Sequence, residues 1–229
     1  MKKKILSILL MVVLLIGLTG CGESKETMLE KSTKLSVKHL KKDLYENFKI
    51  AKEKYEGNVY EISAGVISVE EKFVKIELHN IDVDREYLEV YFEEEEDLYK
   101  IKANQKITFV GKITDITKNN DKNIEIKIKN AYYISDIIEV SGEFKSYGSS
   151  VCSFYLYDYY NENDRDNYTV YELDEIVEYT TCRNPKINGI EINYGDKITI
   201  KGKAIETDNQ SGYDDNWTIT EFESIKVDE

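Results

Sequence analysis

The apolar positions follow helical spacing over one early stretch and strand alternation over most of what comes after. Val37, Leu40, Leu44, Phe48, Ala51 and Tyr55 are separated by intervals of three and four. That is the stripe of an amphipathic helix. Lys38, Lys41, Lys42, Lys49, Lys52 and Lys54 occupy much of the other face, which reads as solvated, and Gly57 supplies the stop. Strands are then predicted at Val59–Val69, Val74–Leu78, Leu88–Phe92, Lys106–Ile116 and Ile124–Ile134. A short helical turn is expected at Leu98–Ala103, behind the acidic run Glu93–Asp97.

This strand pattern is written twice. Lys106–Ile113, KITFVGKI, returns 91 residues later as Lys197–Ala204, KITIKGKA. The same offset relates Ile128–Ile134 to Ile219–Ile225. Upstream, Gly65 is echoed by Gly142 at an offset of 77, which leaves 14 extra residues in the loops of the second copy. Val151–Tyr157, Tyr168–Leu173, Lys197–Ile205 and Trp217–Val227 read as its later strands, and Thr181–Asn193 as the bulk of the insertion. A fixed repeat of this kind signals a duplicated structural unit. Gly111 and Gly202 match within it and read as sites where a strand coils.

Five strands with a helical piece between the third and fourth suggest a partly open Greek-key barrel. Tyr55-Glu56-Gly57, Gly65-Val66 and Gln105–Lys112, together with the preceding helix, resemble the tRNA-anti-like family of OB-fold proteins. The resemblance covers roughly Val37–Ile134. It implies an OB-fold barrel in a bacterial lipoprotein or secreted protein; the kinship with anticodon-binding domains concerns fold, not function. The expected fold class is mainly β: two tandem OB-fold-like five-stranded barrels preceded by an amphipathic α-helix. The expected divisions are 1–20, 21–36 as a polar tether, 37–136 for the helix and first barrel, and 137–229 for the second.

The N-terminus carries an address. Lys2, Lys3 and Lys4 precede the apolar run Ile5–Ile16, which is short for a membrane span. Leu18-Thr19-Gly20-Cys21 resembles the lipobox of bacterial lipoproteins. The resemblance implies cleavage before Cys21, a diacylglycerol thioether on Cys21 and an extracytoplasmic protein held at the cell membrane. Two or more acyl chains make such an anchor stable.

Charge and cysteines narrow the partners. The formal charge is −13, and losing residues 1–20 with their three lysines gives −16. Residues 137–229 hold 20 acidic and 8 basic residues. An acidic chain counts against nucleic acid as the natural partner. With Cys21 lipidated, Cys152 and Cys182 remain. They can form a disulfide closing a loop of roughly 30 residues, worth about 3 kcal/mol on the chain-entropy model, or stay as buried thiols. A reactive nucleophile is a third reading, with no histidine nearby in sequence to activate it.

Tyr155, Tyr157 and Tyr159 share one face of a strand, with Tyr168 and Tyr171 expected nearby. Such rings stack on sugars or bases, and their hydroxyls add hydrogen bonds. The plainer role is packing beneath the insertion. Asp158, Asn161, Asn163, Asp164 and Asp166, and separately Asp208, Asp214 and Asp215, are oxygen-rich but lack calcium-loop spacing. His39 and His79 are isolated, and neither a nucleophile–base pair nor a cofactor fingerprint occurs. No metal, cofactor or catalytic residue is therefore expected. The sequence reads best as a non-enzymatic binding or scaffolding module with a glycan, peptide or protein partner. Single-stranded nucleic-acid binding and hydrolysis of envelope polymer are the alternatives.

Overall fold

The computed structural model describes residues 23–79, 86–118, 123–147, 153–158, 170–172, 177–178, 186–187, 189–206 and 216–227. The chain is folded from its first described residues. Ser24 caps helix α1 (Lys25–Lys31), its hydroxyl accepting the Thr27 N–H. A short strand β1 (Thr33–Lys34) follows. The polar tether expected over 21–36 is therefore corrected: its few apolar side chains, Met28 and Leu35 among them, are too sparse to show a period, yet both are buried.

The predicted helix forms as two, α2 (Val37–Glu46) and α3 (Phe48–Tyr55). Asn47 breaks the run at φ −152°, and its side chain caps α3 by accepting the Ile50 N–H at 3.3 Å. The stripe survives the break, since Leu40, Leu44, Ala51 and Tyr55 are all buried. Asp43 accepts from Lys54 at 2.7 Å and from the Tyr55 hydroxyl at 2.6 Å. Those two bonds, Lys54 first, hold its carboxyl below the usual range. Gly57 ends the pair at φ +85°, where a side chain would be strained.

Next come β2 (Val59–Val69), β3 (Val74–His79), β4 (Glu86–Phe92), α4 (Glu95–Lys100), β5 (Lys106–Lys118) and β6 (Ile124–Ser135). β2 pairs antiparallel with both β3 and β5, β3 with β4, and β5 with β6, while β4 and β6 run parallel. The sheet thus curls until β2 meets β5. Its interior is filled by Ile62, Ile76, Leu88, Ile107, Phe109 and Ile128, each fully buried. The helical turn sits three residues earlier than expected. Buried Asp97 anchors it, accepting the Tyr133 N–H at 2.9 Å and the Lys100 ammonium at 2.7 Å. Asp97→Ala strands that buried amide and should lower stability by about 1–3 kcal/mol. Urea denaturation of the full chain checks this.

The remaining elements are β7 (Ile137–Tyr147), β8 (Ser153–Asp158), β9 (Val170–Glu172), β10 (Val177–Glu178), β11 (Lys186–Ile187), β12 (Ile190–Glu191), β13 (Lys197–Glu206) and β14 (Asn216–Val227). β7, β8, β9, β14 and β13 close a barrel in that order, with β9 and β14 parallel. β10 to β12 form a small separate sheet in the chain between β9 and β13. Phe144, Ile192, Ile198, Ile200, Trp217 and Ile219 fill the core of this half.

The repeat is visible in side-chain detail. Ser63 and Thr108 share a 2.7 Å hydroxyl bond across β2–β5, and Ser141 and Thr199 share a 2.7 Å bond across β7–β13. This corrects the alignment of the two copies. Ser63 corresponds to Ser141, so the offset is 78, not 77, and the glycines Gly65 and Gly142 are one register apart. The hydroxyl pair fixes the register, whereas Gly65 and Gly142 have no side chain to hold one. The second copy accordingly carries 13 extra residues before its fourth strand.

The two halves touch. β6 ends at Ser135 and β7 begins at Ile137, with Asp136 between. β7 leaves the edge of β13 after Lys203, and Gln105 bridges to Ile205 there. Next to that bridge, the Glu206 N–H donates to the Asn104 carbonyl at 2.9 Å. Lys106 lies 4.7 Å over the Trp217 ring, and Lys203 reaches Asp136 at 3.3 Å and Glu221 at 2.8 Å. Burial, then the Asp136 charge, pushes the Tyr133 hydroxyl up to about 12.

Candidate functional site

Alternation along β3 and β4 sorts their side chains onto two faces. Val74, Ile76, Leu88 and Val90 turn into the core. Lys75, Tyr87, Glu89 and Tyr91 turn outward and stay partly exposed. The antiparallel register sets Lys75 against Glu89. Residues 70–73 form the connecting turn, closed by the Glu70 N–H donating to the Phe73 carbonyl at 2.9 Å.

That turn completes an aromatic surface. The Phe73 and Tyr91 rings lie 5.4 Å apart at 37°. The Tyr91 hydroxyl donates to Glu89 at 2.9 Å, and burial followed by this bond raises its pKa. Lys75 sits 4.9 Å over the Tyr87 ring. Lys127, on the neighbouring parallel strand β6, reaches Glu89 at 3.8 Å, and Lys75 reaches Glu70 at 3.6 Å. Beside Tyr91 is a shallow depression of about 370 Å³ lined by Tyr91, Phe92, Glu93, Lys127, Lys129 and Asn130. Asn130 holds a left-handed φ of 51° within β6, next to the irregularity between Val90 and Phe92 in the β4–β6 pairing.

The chemistry of this face follows from its parts. Three rings offer flat apolar surface, and Glu89 offers an acceptor already oriented by a tyrosine hydroxyl. Two lysines balance two glutamates, so the face carries little net charge. Flat rings beside an oriented acceptor can take a ligand with both apolar faces and hydroxyl groups. Among the described residues, no group of three or more His, Cys, Asp or Glu side chains could hold a metal ion. Nor, among those residues, is any helix long and apolar enough to cross a membrane.

The residues singled out by sequence fall elsewhere. Cys21, Cys152, Cys182, Tyr159 and Tyr168 lie outside the described residues. Tyr155 and Tyr157 are on β8 and Tyr171 is on β9. Tyr155 registers with Glu172, Tyr157 with Val170, and Tyr171 with Leu156. Tyr171 is thus one position out of step with the other two. Phe73, Tyr87 and Tyr91 were missed, although Tyr87-Leu88-Glu89-Val90-Tyr91 alternates just as the second-copy strand does. The signal was present but less dense.

A closed five-stranded barrel whose third and fifth strands pair in parallel is consistent with an OB-fold, and the class it defines is a mainly β protein of barrel architecture. No protein-family profile matches the chain, and no curated protein does either. Solved structures give distant likenesses. One, from Klebsiella pneumoniae subsp. pneumoniae, is described as a candidate nucleic acid-binding lipoprotein. It is 11% identical, with 49% of this chain and 100% of that chain covered and a TM-score of 0.39. Another is a deletion variant of the single-stranded DNA binding protein from Thermus aquaticus, 9% identical, covering 74% of this chain and 93% of that chain, with a TM-score of 0.28. At such scores the likeness carries no argument about ligand or location.

Proposed function

We propose that this is an extracytoplasmic protein anchored by lipid at Cys21, built of two OB-like barrels in tandem, which binds an envelope glycan or peptide without catalysing a reaction. The observation that carries the ligand reading is the Phe73–Tyr87–Tyr91 surface with Glu89 set among its rings. Sugar C–H faces stack on such rings while a carboxylate accepts from sugar hydroxyls. The anchor rests on the lipobox resemblance. The tandem reading rests on the matched strand orders and the two Ser–Thr hydroxyl pairs. The non-enzymatic reading is supported by the engagement of Glu70 and Glu89 by lysines.

Tyr91→Ala should weaken binding of soluble envelope glycan fragments about tenfold, the equivalent of about 1.4 kcal/mol. Tyr99→Ala should leave it unchanged, because Tyr99 is 85% exposed on α4. Isothermal titration of both variants checks this. A second reading, single-stranded nucleic acid, is favoured by the same rings lying beside Lys75 and Lys127. It requires oligonucleotide binding that falls steeply as salt rises.

A further inference from the structure

We infer that residues 23–35 form a strap that clamps the anchored end of the chain onto the first half, so that the folded part is held close against a phospholipid surface instead of ranging on a free tether. This rests on the anchoring proposed above.

The strap is attached along its whole length. At its start the Tyr132 hydroxyl donates to the Glu23 carbonyl at 2.9 Å, and the Lys25 ammonium donates to the Tyr133 carbonyl at 2.6 Å. In its middle, Met28 is 1% exposed, buried against Val110 and Tyr132 on the outside of the curled sheet. This small apolar cluster is separate from the main core. Ser32 ends the helix, its hydroxyl donating to the Leu29 carbonyl at 2.9 Å. β1 then pairs in parallel with β2, Thr33 with Tyr60 and Lys34 with Glu61. The Leu35 N–H donates to the Glu61 carbonyl at 2.9 Å, and the Leu35 side chain enters the main core.

A free tether of this length would let the folded part range over roughly 20 Å. With the strap seated, only Gly22 separates the lipid-bearing Cys21 from a fixed Glu23, two residue steps that reach at most about 7 Å. At the exit point Lys31 bonds Glu23 at 2.7 Å, a further tie on the anchored end of the chain.

The test uses the full lipidated chain in vesicles of phosphatidylglycerol and phosphatidylethanolamine carrying a dansyl headgroup. Trp217, the one tryptophan of the chain, is the donor. Inserting 15 Gly/Ser residues between Gly22 and Glu23 should cut energy transfer at least twofold. Met28→Asp should cut it similarly and open Lys25 and Lys31 to trypsin, mapped by mass spectrometry, without unfolding the separate main core. Transfer equal in wild type and insertion variant overturns the strap, as does a Met28→Asp protein that keeps wild-type transfer and trypsin resistance. Cys21→Ala should be shed from the vesicles. If it stays bound, the anchor reading fails and takes the strap's docking role with it. If it is shed but the insertion changes nothing, the strap alone falls.

Discussion

Gly202→Val is expected to unfold the C-terminal barrel, at a cost of at least about 3 kcal/mol, the upper end for overpacking a filled interior. A Cβ at Gly202 would lie 2.6 Å from the Glu221 carbonyl oxygen and 2.7 Å from an Ile219 methyl. The first obstacle is backbone of the paired strand, which cannot turn aside without breaking the β13–β14 ladder. The ladder is already irregular between Lys201 and Gly202. Gly111, its counterpart, meets an Ile128 methyl at 2.5 Å and the Ala131 Cβ at 3.3 Å. Both are side chains, so Gly111→Ala should cost less than Gly202→Ala. Trp217 reports the transition, since it is buried in the C-terminal core. Urea midpoints followed by its fluorescence order the variants, and a Gly202→Val chain with a wild-type midpoint would refute the close approach.

Phe109→Ala is the second large effect and should remove about 3–5 kcal/mol from the N-terminal half. Phe109 is fully buried, registers with Ile62 and Tyr133, and meets Phe92 edge-on at 6.0 Å and 64°. The strands on either side of Phe109 are held in register, which limits collapse into the space. The two halves have separate apolar clusters. Phe109→Ala should therefore shift far-UV dichroism more than it shifts the Trp217 transition. Gly202→Val should do the reverse. A single transition moved equally by both variants would show that the Gln105–Ile205 bridge and the Lys203–Asp136 pair fuse the halves into one cooperative unit.

Strand positions were the most legible part of the chain. Ile107 and Phe109, and then Ile124, Ile126 and Ile128, alternate with polar residues, and both strands appear where expected, extended by one or two residues. The amphipathic stripe was legible as well, but not its interruption, because Asn47 breaks a helix through its own backbone and leaves the apolar intervals intact. The strap was illegible for a different reason. Met28 and Leu35 bury themselves on an outer surface and a core that exist only once the sheet has formed. The glycine matches give the repeat offset one residue short, because the Ser63–Thr108 and Ser141–Thr199 pairs that set the register are contacts between strands far apart in sequence.

The candidate surface on β3 and β4 was not legible from aromatic density. Aromatic density is highest at Tyr155–Tyr159, whose side chains lie outside those described. The described arrangement of rings, carboxylate and lysines belongs to Phe73, Tyr87, Glu89 and Tyr91. Those residues are joined by cross-strand register and by the turn at 70–73, neither of which composition reveals. Lys127, which completes the set, comes from a strand that neighbours β4 only through the parallel pairing of β4 and β6.

The central claim is that a ligand docks on the outer face of β3 and β4. Amide hydrogen exchange of the full chain, with and without a soluble mixture of envelope glycan fragments, tests it most directly. The account predicts added protection in residues 70–76 and 87–92, lost in Tyr91→Ala. Protection confined to β13 and β14, or unchanged by that substitution, would contradict it.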